Sequence, residues 1–193
     1  MVDTWMIDVP GERVLVRELG PADEAPLLRL FEECEDWFTA ATGLPSAPGD
    51  VQSLFYALPE GAHPDDKVLL VLERDGVVAG VVDAVRGHPR PGAVAVGLFL
   101  LAPWARGRGL GRALAEALLS RAGDVAEVTA TVPPGWRPGE RFLERLGFAL
   151  DPEPRPTGAN RRTGPREGGV RRAVLRRDAA TRRSPSRGPG PTG

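Results

Sequence analysis

Arg106-Gly107-Arg108-Gly109-Leu110-Gly111-Arg112 follows the apolar run Val94 to Leu101 and opens the helix-patterned segment Leu110 to Ala122. A strand that passes through a glycine-rich turn into a helix gathers several unpaired backbone N–H groups at one point, because the first helical turn has no carbonyl partners behind it. That arrangement suits a phosphate-bearing ligand. Two nucleotide patterns fail on the spacing. A dinucleotide fingerprint G-x-G-x-x-G counted from Gly107 ends on Arg112, and counted from Gly109 it ends on Leu114; a P-loop needs Gly-Lys-Ser/Thr, and the only lysine is Lys67. What remains is Arg106-x-x-Gly109-x-Gly111, a turn whose successive N–H groups can wrap a pyrophosphate while small residues allow close approach.

Working outward, Leu110, Leu114, Ala117 and Leu118 form an apolar stripe at helical period, stopped by Gly123. Val125 to Val132 alternates Val128, Ala130 and Val132 with Glu127, Thr129 and Thr131, which predicts a strand parallel to Val94–Leu101 through the crossover helix. Val94 to Leu101 itself lacks alternation, so burial on both faces is expected. Upstream, Lys67 to Arg74 and Val77 to Val85 flank Asp75-Gly76, a hairpin signal. A first strand is expected at Arg13 to Arg17, closed by Gly20-Pro21. From Asp23, Leu27, Leu30, Phe31, Cys34 and Phe38 recur at helical spacing, with Glu32, Glu33, Glu35 and Asp36 on the opposite face. That acidic face reads either as solvated surface or as an attractor for a cationic substrate. A short helix is expected within Val51 to Leu58. Downstream come a helix Glu140 to Leu146 capped by Gly147, a strand Phe148 to Leu150, and a strand Val170 to Arg176.

The chain has 193 residues, 41% of them hydrophobic, enough for one domain over residues 1–177. From Asp178 the composition predicts a disordered basic tail over 178–193. The longest near-continuous apolar run, Val94 to Trp104, falls short of the roughly 20 residues that span a bilayer, and the N-terminus lacks a signal-peptide pattern. A soluble, cytoplasmic protein with no membrane contact is the expectation. Cys34 is the only cysteine, which excludes an intramolecular disulfide and a cysteine-based zinc cluster; no metal is expected. Residues 151–193 hold 11 Arg against 4 Asp/Glu, net +7, and the rest of the chain holds 14 Lys/Arg against 22 Asp/Glu, net −8. This basic segment has no aromatic residue to stack on a base, which argues against nucleic acid.

With Arg141-Phe142-Leu143-Glu144-Arg145-Leu146-Gly147-Phe148 added, the chain resembles the GNAT superfamily of acyl-CoA N-acyltransferases. The family's cofactor motif, Arg/Gln-x-x-Gly-x-Gly/Ala after a central strand, is matched by Arg106, Gly109 and Gly111, and the second stretch is similar to the family's later helix ending in Gly-Phe. The resemblance covers about residues 12 to 177. It implies an α/β (mixed α+β) fold: a central, mostly antiparallel twisted sheet with one parallel, splayed strand pair and helices on both faces. It also implies acetyl-CoA as acyl donor. Its pyrophosphate would rest on the turn of Arg106, Gly107, Arg108, Gly109, Leu110, Gly111 and Arg112, and its pantetheine arm would pair with the backbone of Phe99 and Leu101.

The family's reaction is attack of a neutral amine on the thioester carbonyl, so a base must take the amine proton. The family often places a Glu on the central strand, but Val94 to Leu101 has no carboxylate. Asp83 on the neighbouring strand is the preferred candidate, with Glu33 and His88 behind it. The tyrosine that protonates the leaving thiolate in much of the family is here Leu143, and the only tyrosine is Tyr56. Acceptor pockets in this fold are built from the early helices and the loop Arg86 to Gly92. Trp37, Phe38, Phe55 and Tyr56 are either pocket lining or ordinary core aromatics. The expected function is acetyl transfer to a primary amine of a small molecule. Two alternatives stay open: an acyl-CoA-binding module with little turnover, and an acetyltransferase for a protein N-terminus or lysine with the basic tail as a docking arm. Homodimerisation is also left open.

Overall fold

In the computed structural model, which describes residues 4–156 and 169–177, the chain starts as a hairpin of β1 (Trp5–Val9) and β2 (Glu12–Glu18). The sequence reading places no strand at β1. Its signal is nevertheless present: Trp5, Ile7 and Val9 alternate with Met6 and Asp8 ahead of the turn dipeptide Pro10-Gly11.

Next come α1 (Glu24–Glu33), α2 (Glu35–Thr42) and α3 (Pro48–Tyr56). The apolar spacing predicts one helix running through Phe38, whereas the structure breaks it at Cys34, with φ −97° and ψ 29°. No glycine or proline marks the break. Its partners are tertiary: the fully buried Cys34 thiol donates to the carbonyl of Leu101, 3.4 Å away.

The antiparallel meander β3 (Lys67–Arg74), β4 (Val77–Arg86) and β5 (Ala93–Leu101) follows the predicted order. Asp75 and Gly76 both take left-handed φ, 52° and 77°, as a two-residue I′ hairpin requires. After the glycine turn come α4 (Leu110–Arg121), β6 (Glu127–Val132), α5 (Arg137–Arg145), β7 (Ala149–Leu150), β8 (Arg155–Pro156) and β9 (Gly169–Arg176). The sheet order is β1-β2-β3-β4-β5-β6-β9-β7, with β8 also on β9, and β5/β6 is the one parallel pair among the described strands. In β3 the consecutive residues Leu70, Val71 and Leu72 are all buried, and in β4 so are Ala79 to Val82, so helices cover both faces at the sheet centre.

The hydrophobic core is divided. One cluster joins β1 to β5 with α1 to α4, around Val14, Leu27, Phe31, Leu72, Val81, Leu100 and Leu114. The second joins β6, β9 and α5, through Val128, Ala130, Val132, Leu143, Phe148 and Ala173. The line between them follows the β5/β6 boundary. For this reason β5 departs from expectation: Val94 to Val96, Leu98, Phe99 and Leu101 are only partly buried and Gly97 is exposed. The residues 178–193 read as a tail lie outside the described residues. Among the described residues no helix is long and apolar enough to cross a membrane.

Candidate active site

β5 and β6 are paired only from Ala93↔Glu127 to Val96↔Ala130. Beyond that point β5 stays on β4 as far as Leu101 and β6 stays on β9 as far as Val132, so the two strands part and their facing edges lose ladder partners. Gly97 is the extra residue of a bulge on β5, since Asp83 pairs with Leu98 and Ala84 with Val96.

Strand alternation assigns the freed groups. Ala102 N–H donates to Ala79 on the β4 side, so Leu100 shares that orientation, and the backbone groups of Phe99 and Leu101 point to the opposite edge, into the gap. The side chains of Phe99 and Leu101 stand on the α4/α5 face. The Phe99 ring lies 5.3 Å from that of Phe142, and Leu101 Cδ1 lies 3.2 Å from where a Cβ on Gly111 would sit.

The glycine turn closes the end of this gap. Gly107 and Gly109 have φ of 78° and 88°, left-handed values that a side chain would strain, and Gly109 caps α4 without a side-chain hydrogen bond. Among the described residues, the N–H groups of Gly107, Arg108, Gly109, Leu110, Gly111 and Arg112 meet no protein acceptor. Six clustered donors at a helix N-terminus form a site for a polyanion, reinforced by the helix dipole.

The arginines here are committed elsewhere. Arg108 binds Glu12 at 2.8 Å, and with Arg74 it holds that carboxyl below the usual carboxylate range; Arg112 binds Glu116. Arg106 turns inward. Its Nε donates to the Leu101 carbonyl at 2.8 Å and its terminal nitrogens grip Asp36. Its backbone N–H donates to the Pro103 carbonyl at 3.3 Å, so Arg106 brings no free backbone donor to a diphosphate, unlike the six residues that follow it.

Asp83 lies across the sheet from α4 and α5. It shares a face with its partner Leu98 and with Lys67, whose ammonium reaches the Ala57 carbonyl behind α3 at 2.7 Å. Asp83 Oδ2 accepts from Lys67 Nζ at 3.1 Å; Oδ1, 3.0 Å from the same nitrogen, is an ion-pair contact without a hydrogen bond. Burial pushes the Asp83 carboxyl above its ordinary value, and Lys67 works against that rise. The missing Cβ of Gly97, which would stand 3.5 Å from Oδ2, leaves the carboxylate facing bare backbone at the bulge. The sequence reading misses Lys67 as the partner of Asp83; their alternate positions on two strands of one hairpin are the signal that could have found it.

The other base candidates fare differently. Glu33 accepts from the Trp104 indole N–H at 3.0 Å, just past the end of β5. His88 sits in the β4–β5 loop, at the start of β5 and so on the order of 25 Å along the strand from the glycine turn. Of the acidic face, Glu33 and Asp36 are engaged by Trp104 and Arg106. Leu143 is buried in the second core cluster. Phe38 packs in the first, 4.8 Å from Phe31, while Tyr56 is 83% exposed at the end of α3.

The model of the acetyltransferase (GNAT) family matches residues 29–148, more than half of the chain. The chain belongs to the GNAT acetyltransferase family. Solved structures agree on the fold. An acetyltransferase from Thermus thermophilus superposes with a TM-score of 0.65 at 20% identity, covering 89% of this chain and 99% of that one. A ribosomal-protein-alanine N-acetyltransferase from Brucella melitensis gives 0.60 at 20% identity, covering 83% and 98%. The ribosomal α-N-protein acetyltransferase RimL, solved in complex with coenzyme A, gives 0.64 at 14% identity, covering 91% and 99%. No curated protein sequence matches the chain.

Proposed function

We propose that the protein is a cytoplasmic N-acetyltransferase that moves the acetyl group of acetyl-CoA onto a primary amine of a small molecule. The observation that carries this reading is the row of six N–H groups from Gly107 to Arg112 without protein acceptors, at the end of an unpaired strand edge. The diphosphate of the donor fits the turn, and the amides of its pantetheine arm fit the backbone of Phe99 and Leu101.

In this reading the neutral amine attacks the thioester carbonyl carbon, a C–N bond forms, and an N–H of β5 steadies the oxyanion. Asp83 takes the proton that the nitrogen sheds. Collapse then breaks the C–S bond and releases the CoA thiolate. Leu143 offers no hydroxyl, so water protonates the thiolate, and a thiol with a pKa near ~8.5 is a serviceable leaving group without help.

Two observations favour other readings. The buried Leu143 favours a module that holds acyl-CoA with little turnover. The likeness to the Brucella and RimL enzymes, whose names state protein substrates, favours a protein amine. CoA binding by calorimetry, followed by thiol release across a panel of small amines and peptides, decides among them. Release with a small amine supports the proposal, and release with peptides alone assigns a protein substrate. Binding without release assigns the module, and no CoA binding overturns all three.

A further inference from the structure

Leu101 is held from several sides. Its carbonyl accepts from Arg106 Nε at 2.8 Å and from the buried Cys34 thiol at 3.4 Å. Its side chain fills the space left by two missing Cβ atoms, 3.2 Å from that of Gly111 and 2.6 Å from that of Gly80. Only its N–H, which points to the same edge as its carbonyl, is left for a ligand.

The guanidinium that clamps the carbonyl is itself clamped. Arg106 binds Asp36 with both terminal nitrogens, at 2.5 and 3.2 Å, and the Trp136 ring lies 6.0 Å from it on the far side of the gap. A two-point Arg–carboxylate pair fixes the guanidinium plane, and with it the direction of Nε–H. The chain of contacts therefore runs from Asp36 on α2, through Arg106, to the backbone of Leu101 on β5.

We propose that Asp36 is a positioning residue for the acyl donor: by holding Arg106 across the Leu101 carbonyl, it keeps the unpaired Leu101 N–H aimed into the gap. The inference rests on the reading of that gap as the donor site. The pair is charged across the working range of pH, because the hydrogen bond from Arg106 holds the Asp36 carboxyl below its ordinary value. Asp36 is half exposed, 49% at the side chain, so the fold does not depend on burying it.

The test uses Asp36→Asn, Asp36→Glu, Arg106→Gln and the Asn/Gln double variant of the full chain. Two quantities are read: CoA affinity by calorimetry, and the backbone order parameter of the Leu101 amide in the free protein. Asp36→Asn is expected to weaken CoA about tenfold and to lower the Leu101 order parameter from the ~0.85 of rigid backbone, with Asp36→Glu recovering most of both. The double variant should be no weaker than Arg106→Gln alone, because the two residues act in series. Wild-type affinity and an unmoved Leu101 amide in Asp36→Asn would overturn the proposal, as would losses that multiply in the double variant. A wild-type protein that does not bind CoA overturns the donor-site reading instead, and the order parameter of the free protein still decides the role of Asp36.

Discussion

The Phe142 ring stands 3.3 Å from the place a Cβ on Gly111 would occupy, so α5 and the first turn of α4 meet through a position that only a very small residue can fill. Leu101 touches the same point from β5. Gly111 is thus where the glycine turn, the opened strand and the second core cluster come together.

Substitution at Gly111 should follow size. Alanine needs neighbours to give by a few tenths of an ångström, and its helix propensity offsets that by about 0.5–1 kcal/mol. Gly111→Ala is therefore expected within about 1 kcal/mol of wild type. Gly111→Val forces further shifts and should cost about 1–3 kcal/mol in urea melts. Equal stability of the two variants would show that the contact is not tight.

Gly109 has open space around it and φ of 88°, so substitution there strains the backbone without collision. Gly109→Ala should lose about 1–2 kcal/mol of stability. Gly109→Glu should show a similar stability loss, while its charge beside a diphosphate adds about 4 kcal/mol of repulsion at ~4 Å and an effective dielectric of ~20, roughly a thousandfold in CoA affinity. Calorimetry on both variants separates strain from charge, and a glutamate that binds CoA as well as the alanine does would remove the diphosphate from this turn.

As the proposed base, Asp83 must be deprotonated to accept a proton, so activity should fall as pH drops through its pKa. Burial raises that pKa and Lys67 opposes the rise. Lys67→Met removes the opposing cation, and the acid limb of the pH–rate profile should move to higher pH. Asp83→Asn should lower kcat by about 10²–10⁴-fold with little change in CoA affinity. An acid limb that stays in place in Lys67→Met, with full activity in Asp83→Asn, would take the base elsewhere.

Arg17 holds Asp23 with two hydrogen bonds of 2.8 Å, and Gly20 N–H adds a third of 2.8 Å. The Arg17 hydrogen bonds lead in keeping the Asp23 carboxyl below its ordinary value of 3.8. A carboxyl with a depressed folded pKa contributes stability that is present above its unfolded pKa and is lost as pH falls through the folded one. Asp23→Asn should therefore cost about 1.5–3 kcal/mol at neutral pH, and its deficit against wild type should shrink below pH ~4. Urea melts at pH 7 and pH 3 measure this; an undiminished deficit at pH 3 would mean the carboxylate charge is not what stabilises the corner.

What was legible in the sequence had short-range causes. Asp75-Gly76 makes its hairpin because those two residues tolerate left-handed backbone, and Gly107 and Gly109 bend the chain into α4 for the same reason. The paired motifs around Arg106 and Phe148 carried the family. β1 is absent from the sequence reading although its alternation is visible, and the break at Cys34 has no local sign, since its partner is the carbonyl of Leu101, 67 residues away.

The candidate site divides along the same line. The sequence by itself determined the order of elements from β2 to β7, the break at Cys34 apart, and the position of the amide-rich turn, because each depends on the φ, ψ and side-chain period of neighbouring residues. Only the tertiary structure decided that β5 and β6 part after Val96, that Asp83 answers to Lys67, and that the motif arginine turns inward to Asp36, 70 residues away. Strand pairing, burial and charge pairing are sums over residues that meet only when the sheet is assembled, and no local period records them.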